Sequence, residues 1–158
     1  MDSEKFLYKL VVASDSHHNL ANLERILPII NAANYFVFCG DGVDDVMLMR
    51  GRITVPVLCV RGNNDFNATI AETNTATLGS THVLVTHGHR FDVRNGLKPL
   101  FMTAQTKKCR LVFYGHTHEF LDKTVQEVHF INPGALFNGS YALVAGDGVD
   151  FECKHCSL

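Results

Sequence analysis

The chain of 158 residues lacks the features that mark a membrane-spanning, secreted or nucleic-acid-binding protein. No apolar run approaches the roughly 20 residues that a membrane helix needs. The first residues, MDSEKFLYKL, carry acids early and contain no long apolar stretch, so we expect no secretory signal and a cytoplasmic location. The formal net charge of -2 provides no general attraction to nucleic acids or to anionic membranes.

The sequence also lacks the cysteine arrangement of a structural zinc site. Of its five cysteines, Cys39 and Cys59 lie in apolar runs, where a free thiol behaves as a small hydrophobe. Cys153 and Cys156 form a C-x-x-C pair. A zinc ribbon needs a second such pair, and a thioredoxin-like motif follows a strand and opens a helix. We therefore interpret the pair as incidental, with an adventitious metal or a disulfide as the alternative.

The composition is that of an ordinary globular protein. Hydrophobic residues make up 46% of the chain and charged residues 19%, which does not favour disorder. The chain has no long linker, low-complexity tract or obvious internal repeat. Its length suits one domain with a real hydrophobic core, and we expect that domain to span residues 1–158.

The order of apolar runs predicts an α/β layered domain. Continuous apolar runs, typical of strands covered on both faces, occur at Tyr8–Ala13, Tyr35–Cys39, Pro56–Val60, His82–Thr86 and Arg110–Tyr114. Shorter, turn-bounded runs predict antiparallel strands at Phe120–Val125, Val128–Ile131, Ser140–Ala145 and Val149–Cys153. Helices are predicted from Leu20 to Ile30 with Asn19 as N-cap, from Asp44 to Met49, and from Gly96 to Lys107.

Each of the first five strand-like runs ends in polar side chains of the metal-ligand type. The five motifs are Ser14-Asp15-Ser16-His17, Gly40-Asp41, Gly62-Asn63-Asn64-Asp65, His87-Gly88-His89 and Gly115-His116-Thr117-His118. Ligands of α/β sheets bind beyond the carboxyl ends of the strands, so we expect all five motifs at one edge. Alternate residues of an extended segment point to the same side, which predicts that Asp15 and His17 aim at one place. The same argument applies to the His116 and His118 rings.

Each motif taken alone also has a purely structural interpretation. Asp15 could start the following helix, Asp41-Gly42 is a common turn pair, and the segment at 62–65 resembles a polar turn. Five such coincidences at five successive strand ends favour a shared metal site instead. Asp, His and Asn supply oxygen and nitrogen without thiolate, which suits Mn²⁺, Fe²⁺ or Zn²⁺ better than Ca²⁺ or a soft metal.

The candidate ligands are too many for one ion and suit two ions that share a carboxylate. They are Asp15, His17, Asp41, Asn63, His87, His116 and His118. The ordered set D-x-H, G-D, G-N-x-D, H-G-H and G-H-T-H, followed by Ile131-Asn132-Pro133-Gly134, resembles the calcineurin-like metallophosphoesterase superfamily. The similarity extends roughly from Leu10 to Gly146 and is strongest to the small bacterial and archaeal phosphodiesterase branch.

The resemblance implies an α/β fold, a four-layer α/β/β/α sandwich of two mixed sheets flanked by helices. It also implies that the first metal is held by Asp15, His17 and His118, and the second by Asn63, His87 and His116. Asp41 would bridge two divalent ions, for which Mn²⁺ is the first choice and Ni²⁺, Zn²⁺, Fe²⁺ and Mg²⁺ are alternatives. A metal-bridging hydroxide would then hydrolyse a phosphodiester or a phosphomonoester.

The chain departs from the family pattern at the residue after the ligand Asn63. Relatives often have His or Cys there, whereas Asn64 can donate a hydrogen bond but cannot act as a general acid. Many relatives also have Gly where this chain has His18. We expect Asp65 to orient a neighbouring ligand, and Asn64, His89 and Arg94 to contact substrate.

The segment from 90 to 110 is rich in cations and could meet distal phosphates of a substrate. Its cations are Arg90, Arg94, Lys98, Lys107, Lys108 and Arg110. The alternative interpretation is a solvated helix face. The chain has no extended basic stripe, so a small phosphoester is favoured over nucleic acid as the substrate.

The sequence leaves two classes of function open. The favoured one is a metal-dependent phosphoesterase, because every expected ligand position carries a competent side chain. The alternative is a non-catalytic protein-binding scaffold, since the retromer scaffold subunit belongs to the same branch and has a degraded metal site. Assembly into a homo-oligomer also stays open.

Overall fold

Two five-stranded β-sheets form the centre of the fold. The computed structural model describes residues 7–66 and 69–158. The first sheet contains β1 (Tyr8–Ala13), β2 (Tyr35–Phe38), β3 (Val57–Cys59), β9 (Ser140–Gly146) and β10 (Phe151–Ser157). Its strand order is β10-β9-β1-β2-β3. Strands β1, β2 and β3 are parallel, so their carboxyl ends lie at the same edge, whereas β9 and β10 complete the sheet by antiparallel pairing.

The second sheet repeats this mixed pattern. It contains β4 (Thr73–Leu78), β5 (Thr81–Thr86), β6 (Leu111–Phe113), β7 (Phe120–Val125) and β8 (Val128–Pro133). Its strand order is β4-β5-β6-β8-β7. Strands β5, β6 and β8 are parallel, while β4 and β7 pair antiparallel at the two edges.

Three α-helices cover the outer faces of the sheets. Helix α1 (Leu20–Asn31) begins at the predicted N-cap, because the Asn19 side chain accepts a hydrogen bond from the Asn22 amide at 3.2 Å. Helix α2 (Val43–Met49) and α3 (Lys98–Thr106) also lie where helices were predicted. No helix in residues 7–66 and 69–158 has the length and hydropathy that crossing a membrane requires.

The buried side chains form three layers of packing that define a four-layer sandwich. Val12, Val37, Val85 and Phe113 meet between the two sheets. Helices α1 and α2 bury their apolar faces on the outer side of the first sheet, and α3 does so on the second. Each fully buried aliphatic or aromatic side chain contributes about 1.5–3 kcal/mol to this packing. The predicted α/β/β/α arrangement is confirmed.

Strand β4 was missed by the sequence analysis. Its sequence, TNTATL, is polar and largely exposed, as suits an edge strand, so it lacks the apolar run on which the other predictions depended. The last strand was predicted too early, at Val149–Cys153, and lies at Phe151–Ser157. The remaining predicted strands are confirmed with small changes at their ends.

The C-x-x-C pair lies inside β10, where residues three apart point to opposite faces. Cys153 packs against the core between the sheets, and Cys156 packs against the layer beneath α1 and α2. Both thiols are free. The two sulfurs therefore do not face a common ion, in agreement with the interpretation of the pair as incidental.

Candidate metal centre

Polar loops from both sheets meet at one end of the sandwich. The loops after β1 and β2 are joined by hydrogen bonds from the Asp15 amide to Gly40 O (2.9 Å) and from the His17 amide to Asp41 O (3.1 Å). The loops after β5 and β6 are joined by the Gly115 amide and His87 O at 3.0 Å. The expectation that all motifs lie at the edge of one sheet is therefore wrong, because the fourth and fifth motifs come from the second sheet.

The histidine and aspartate motifs are tight turns and not extensions of the strands. Strands β1 and β6 end at Ala13 and Phe113, before the motifs begin. The residues with left-handed φ angles include Asp15 (56°), His17 (44°), Asp41 (59°), His116 (72°) and His118 (63°). The prediction that extended segments aim these side chains is thus wrong. Non-glycine residues in this region cost about 1–3 kcal/mol each and cluster at functional sites.

Two glycines allow the loops to approach one another closely. A Cβ atom on Gly62 would lie 2.1 Å from Asp41 Oδ1, and one on Gly115 would lie 2.1 Å from Ser14 Oγ. Both distances are far below van der Waals contact, so any larger residue would separate the loops. The glycines of the G-N and G-H motifs therefore set how tightly the site is closed.

The first group of metal-ligand atoms surrounds the fully buried carboxylate of Asp15. Its Oδ1 lies 3.3 Å from His17 Nε2 and 3.2 Å from His118 Nε2, and these two nitrogens are 3.2 Å apart. Asp15 Oδ2 accepts hydrogen bonds from Ser14 Oγ (2.6 Å) and from the His116 amide (3.1 Å). Within the described residues, Oδ1 is buried without a hydrogen-bond donor and faces both imidazole Nε2 atoms.

The second group forms around Asp41 and His87. Asp41 Oδ2 lies 3.2 Å from His87 Nε2 and 4.0 Å from His17 Nε2. His87 Nδ1 donates to Cys39 O at 2.7 Å, which fixes the ring and directs Nε2 into the site. His116 Nδ1 approaches His87 Nε2 at 3.2 Å. The two His residues of the G-H-T-H motif thus face different partners.

Ligand-type atoms within 4.8 Å of one another form two sets in the described part of the chain: Asp15, His17 and His118, and Asp15, Asp41 and His87. Asp15 belongs to both sets. The arrangement is therefore one continuous cluster with two overlapping centres.

The electrostatics favour the lone-pair-bearing forms of Asp41 and His116 but the protonated form of His87. Burial opposes ionisation of Asp41, but contact with His87 and hydrogen bonds from Asn64 hold the pKa of that carboxyl below its usual range. Burial, then the positive charges of His87 and Arg94, lower the pKa of His116 to about 4. The pKa of His87 is instead raised, because contact with Asp41 and the charge of Asp15 outweigh its burial. His116 is therefore neutral at neutral pH.

The loop after β3 brings Asn64 against Asp41. Asn63 and Asn64 lie in an exposed turn. The Asn64 amide donates to Asp41 Oδ1 at 2.9 Å, and its Nδ2 donates to Asp41 Oδ2 at 3.0 Å. Asn64 thus holds both oxygens of this carboxylate.

Asp65 ties the second and third loops together. Its carboxylate accepts hydrogen bonds from the backbone amides of Asp41 (2.7 Å), Gly42 (2.9 Å), Val43 (3.1 Å) and Gly62 (2.8 Å). Two of these amides belong to Asp41 itself and to the next residue, Gly42. Asp65 therefore fixes the backbone from which the Asp41 side chain projects.

His89 and Arg94 border the cluster on the side of the second sheet. The His89 ring lies 5.5 Å from the His87 ring, and its Nε2 is 3.7 Å from Glu72 Oε1. Arg94 Nη2 approaches His116 O at 3.5 Å. Both residues lie close enough to the cluster to contact a substrate, and their predicted contact with substrate stays a prediction.

The six cations between 90 and 110 do not form one surface. Arg90 pairs with Glu72 at 3.0 Å. Lys107 and Lys108 line a surface depression beside β4 and β5, and Arg110 lines another beside β10. The six cations therefore do not share one phosphate-binding surface, since they lie at several separate places on the structure.

Three buried polar residues that support the loops were missed by the sequence analysis. Asp45 Oδ2 accepts hydrogen bonds from Ser16 Oγ (2.6 Å) and the His18 amide (3.0 Å). Asn132 Nδ2 donates to Gly115 O (3.1 Å) and Thr117 Oγ1 (3.0 Å). Ser14 holds Asp15. Asn132 lies in the Ile131-Asn132-Pro133-Gly134 motif, which could have indicated its supporting role. Asp45 looks in the sequence like an ordinary acid in the first turn of a helix, so nothing indicated its role.

The sequence and the fold of this chain are similar to those of known proteins. Residues 8–145 match the family model of the calcineurin-like phosphoesterase superfamily domain. A phosphodiesterase of Methanocaldococcus jannaschii is 28% identical over 143 residues, covering 80% of this chain and 82% of its own. The crystal structure of a predicted phosphoesterase from Streptococcus pneumoniae has a TM-score of 0.83 and 27% identity, with 96% of this chain and 90% of that one covered.

The fold is also shared with Vps29 of Entamoeba histolytica, whose structure was solved in complex with Zn²⁺. Here the TM-score is 0.77 at 18% identity, and the coverage is 94% of this chain and 98% of that one. At this identity the similarity concerns the fold alone. The match of the family model over most of the sequence is independent of that similarity. The chain belongs to the calcineurin-like phosphoesterase superfamily.

Proposed function

We propose that this protein is a metal-dependent phosphoesterase that hydrolyses small phosphodiesters, with phosphomonoesters as a second substrate class. The observation that carries the proposal is the pair of overlapping ligand groups that share the buried Asp15 carboxylate. Membership of the superfamily and the phosphodiesterase name of the 28% identical relative support the same activity.

The residues of the cluster fit divalent metal ions. Asp15 Oδ1 is buried without a hydrogen-bond donor in the described residues and faces the Nε2 atoms of His17 and His118. A buried carboxylate oxygen without a hydrogen-bond donor is costly, and a cation between these atoms would interact favourably with it. The donor set of carboxylate oxygen and imidazole nitrogen favours Mn²⁺, with Ni²⁺, Zn²⁺, Fe²⁺ and Mg²⁺ as alternatives.

We assign Asp15, His17 and His118 to one ion, and Asn63, His87 and His116 to the other. Asp41 would serve both ions, and Asp15, whose Oδ1 lies 4.0 Å from His87 Nε2, also reaches the second group. This assignment is supported by the position of Asp41 Oδ2, which lies 3.2 Å from His87 Nε2 and 4.0 Å from His17 Nε2 and so reaches both groups.

When bound, divalent ions supply the Lewis acidity that lowers the pKa of water and neutralises charge on phosphoryl oxygens. The protein holds the ligands in place so that little reorganisation is needed. Ser14 fixes the Asp15 carboxylate, Cys39 O fixes the His87 ring, and Asn64 fixes both oxygens of Asp41. Such fixed polar groups are more effective than mobile ones at stabilising charge that develops in a transition state.

The side chain at position 64 cannot protonate the leaving group. The Asn64 amide cannot release a proton near neutral pH, and its Nδ2 is already engaged with Asp41. We therefore infer that the enzyme prefers esters whose leaving group departs without a proton.

The Asn64→His variant is expected to gain activity on an ester with a poor leaving group. An imidazole at this position can donate a proton, and general acid catalysis is worth about 10²–10⁴-fold, although one Asp41 contact is lost. The measurement compares kcat/KM for methyl p-nitrophenyl phosphate with that for a dialkyl phosphodiester. Asn64→Gln, which keeps an amide, is the control. An Asn64→His variant with no relative gain on the dialkyl ester would contradict the inference.

The scaffold alternative keeps support from the shared fold with Vps29. All the assigned ligand positions carry oxygen or nitrogen donors, which favours the enzyme. A scaffold with a retained metal site would bind ions without hydrolysing esters, so metal binding alone does not distinguish the two functions.

The test of the proposed function is hydrolysis by the metal-stripped protein with one metal restored at a time. The substrates are bis(p-nitrophenyl) phosphate and p-nitrophenyl phosphate, and the metals are Mn²⁺, Ni²⁺, Zn²⁺ and Mg²⁺. We expect Mn²⁺ to restore hydrolysis and the diester to be the better substrate. Absence of hydrolysis with every metal would overturn the proposed phosphoesterase activity and leave the protein-binding scaffold as the remaining function.

A further inference from the structure

A cleft of about 590 Å³ opens directly beside the metal-ligand cluster. One wall is formed by the segment before α3, with Arg94 and Leu97, and the other by β7, with Phe120 and Lys123. His118, whose Nε2 lies 3.2 Å from Asp15 Oδ1, belongs to the cleft lining and to the first ligand group. A substrate whose phosphorus lies at the cluster can therefore extend into this cleft.

The opposite side of the cluster offers much less room. The cavity there, lined by His17, Asn64 and Phe66 among others, has a volume of about 70 Å³. Sites for small organic molecules have volumes of roughly 300–1,000 Å³. Of these two cavities, which are lined by described residues of the cluster, the cleft beside His118 has the size to hold the body of a phosphoester.

The cleft combines apolar walls with cations that have no acidic partner. Neither Arg94 nor Lys123 forms an ion pair with any described residue, and the polar contact of the Arg94 side chain is to His116 O. Glu119 also lines the cleft and is its acidic residue. The two cations outnumber this carboxylate, so an anionic group is favoured, and Leu97 and Leu121, which both lie on the α3 side, would contact an apolar or aromatic body.

We propose that the cleft binds the non-reacting part of the substrate, and that Arg94 and Lys123 hold a second anionic group there. The substrate class is then a phosphodiester with an apolar or aromatic body that carries an additional phosphate or carboxylate, as in a phosphorylated nucleoside. This inference rests on the proposed function and narrows it. Of the two cations, Arg94 contacts the loop that presents His116 and His118.

The test compares two esters that share the same leaving group. They are thymidine 3′-(p-nitrophenyl phosphate) and the same compound with a 5′-phosphate. With Mn²⁺ present, we expect the 5′-phosphate to lower KM about fivefold, because exposed ion pairs are weak but two charge-assisted contacts act together. The ratio of the two KM values is expected to approach one in the double variant Arg94→Gln, Lys123→Gln and to increase in Glu119→Gln.

Lys98→Gln is the matched control, since Lys98 lies on α3 in the same cation-rich segment and does not line the cleft. It is expected to keep the wild-type ratio. Equal KM values for the two esters in the wild type, or an unchanged ratio in the double variant, would overturn the inference while leaving the phosphoesterase intact.

A binding measurement separates this inference from the proposed function. Calorimetry compares thymidine 3′,5′-bisphosphate with thymidine 3′-phosphate on the metal-stripped wild type and the metal-stripped double variant, so that neither monoester is hydrolysed during the measurement. Tighter binding of the bisphosphate that is lost in the double variant supports the cleft even if neither ester is hydrolysed. Equal binding of both nucleotides contradicts it.

Discussion

Asp41→Asn is expected to reduce bound Mn²⁺ from about two ions per chain to at most one, and to slow diester hydrolysis at least about 100-fold. The change keeps the shape of the side chain but removes its negative charge. In either orientation the amide would also place an NH₂ group against a donor, which is Asn64 Nδ2 at the Oδ2 position and the Asn64 backbone amide at the Oδ1 position. Metal content by mass spectrometry and kcat for bis(p-nitrophenyl) phosphate measure the two effects.

Asp122→Asn is the matched control for this experiment. Asp122 Oδ1 contacts His129 Nε2 at 2.5 Å, so the pair resembles Asp41 and His87 in chemistry but lies on β7 and β8, outside the ligand groups. The control is expected to keep both metal content and rate. An Asp41→Asn protein that retained two ions and the wild-type rate would remove the basis for a shared carboxylate.

Asp65→Ala is expected to lower the free energy of unfolding by about 3 kcal/mol or more, since hydrogen bonds to a charged acceptor contribute about 1.5–3 kcal/mol each. Its carboxylate accepts from four backbone amides, so the truncation leaves four donors without this partner. Urea denaturation measures the loss. Hydrolysis is also expected to decrease strongly, because the loop that presents Asp41 is no longer fixed.

Asp65→Asn provides a second variant in case the alanine protein does not fold. An amide keeps one acceptor oxygen and turns an NH₂ group towards two N–H donors, so an intermediate loss of stability is expected. Glu127→Ala, on the exposed turn between β7 and β8, is the control and is expected to stay within about 0.5 kcal/mol of wild type. If Asp65→Ala unfolded at the same urea concentration as the wild type, Asp65 would not hold the loops.

The fold could largely be predicted because most of its strands are either continuous apolar runs or short runs bounded by turns. Tyr8–Ala13 and Phe120–Val125 are observed with the predicted bounds, and α1 begins after the predicted cap at Asn19. In these segments local pattern and tertiary burial agree. Strand β4 escaped prediction because a polar edge strand gains its stability from pairing with β5, which composition does not reveal.

The candidate site could be predicted as a set of residues but not as a geometry. The motifs indicated which side chains would meet, while the left-handed turns at Asp15 and His116 could not be inferred from residue types alone. The contacts of Asn64 and Asp65 with the Asp41 loop join segments more than 20 residues apart, as do most contacts that define a site. The roles assigned to the ligand residues stay predictions. The expectation that residues 1–158 form one domain also stays a prediction.

The most direct test of a two-metal phosphoesterase is a titration of Mn²⁺ into the metal-stripped chain, with bound metal and hydrolysis of bis(p-nitrophenyl) phosphate followed together. We expect about two ions to bind per chain and hydrolysis to increase mainly as the second ion binds. Binding of two ions without hydrolysis, or hydrolysis that is complete with one ion, would contradict this expectation.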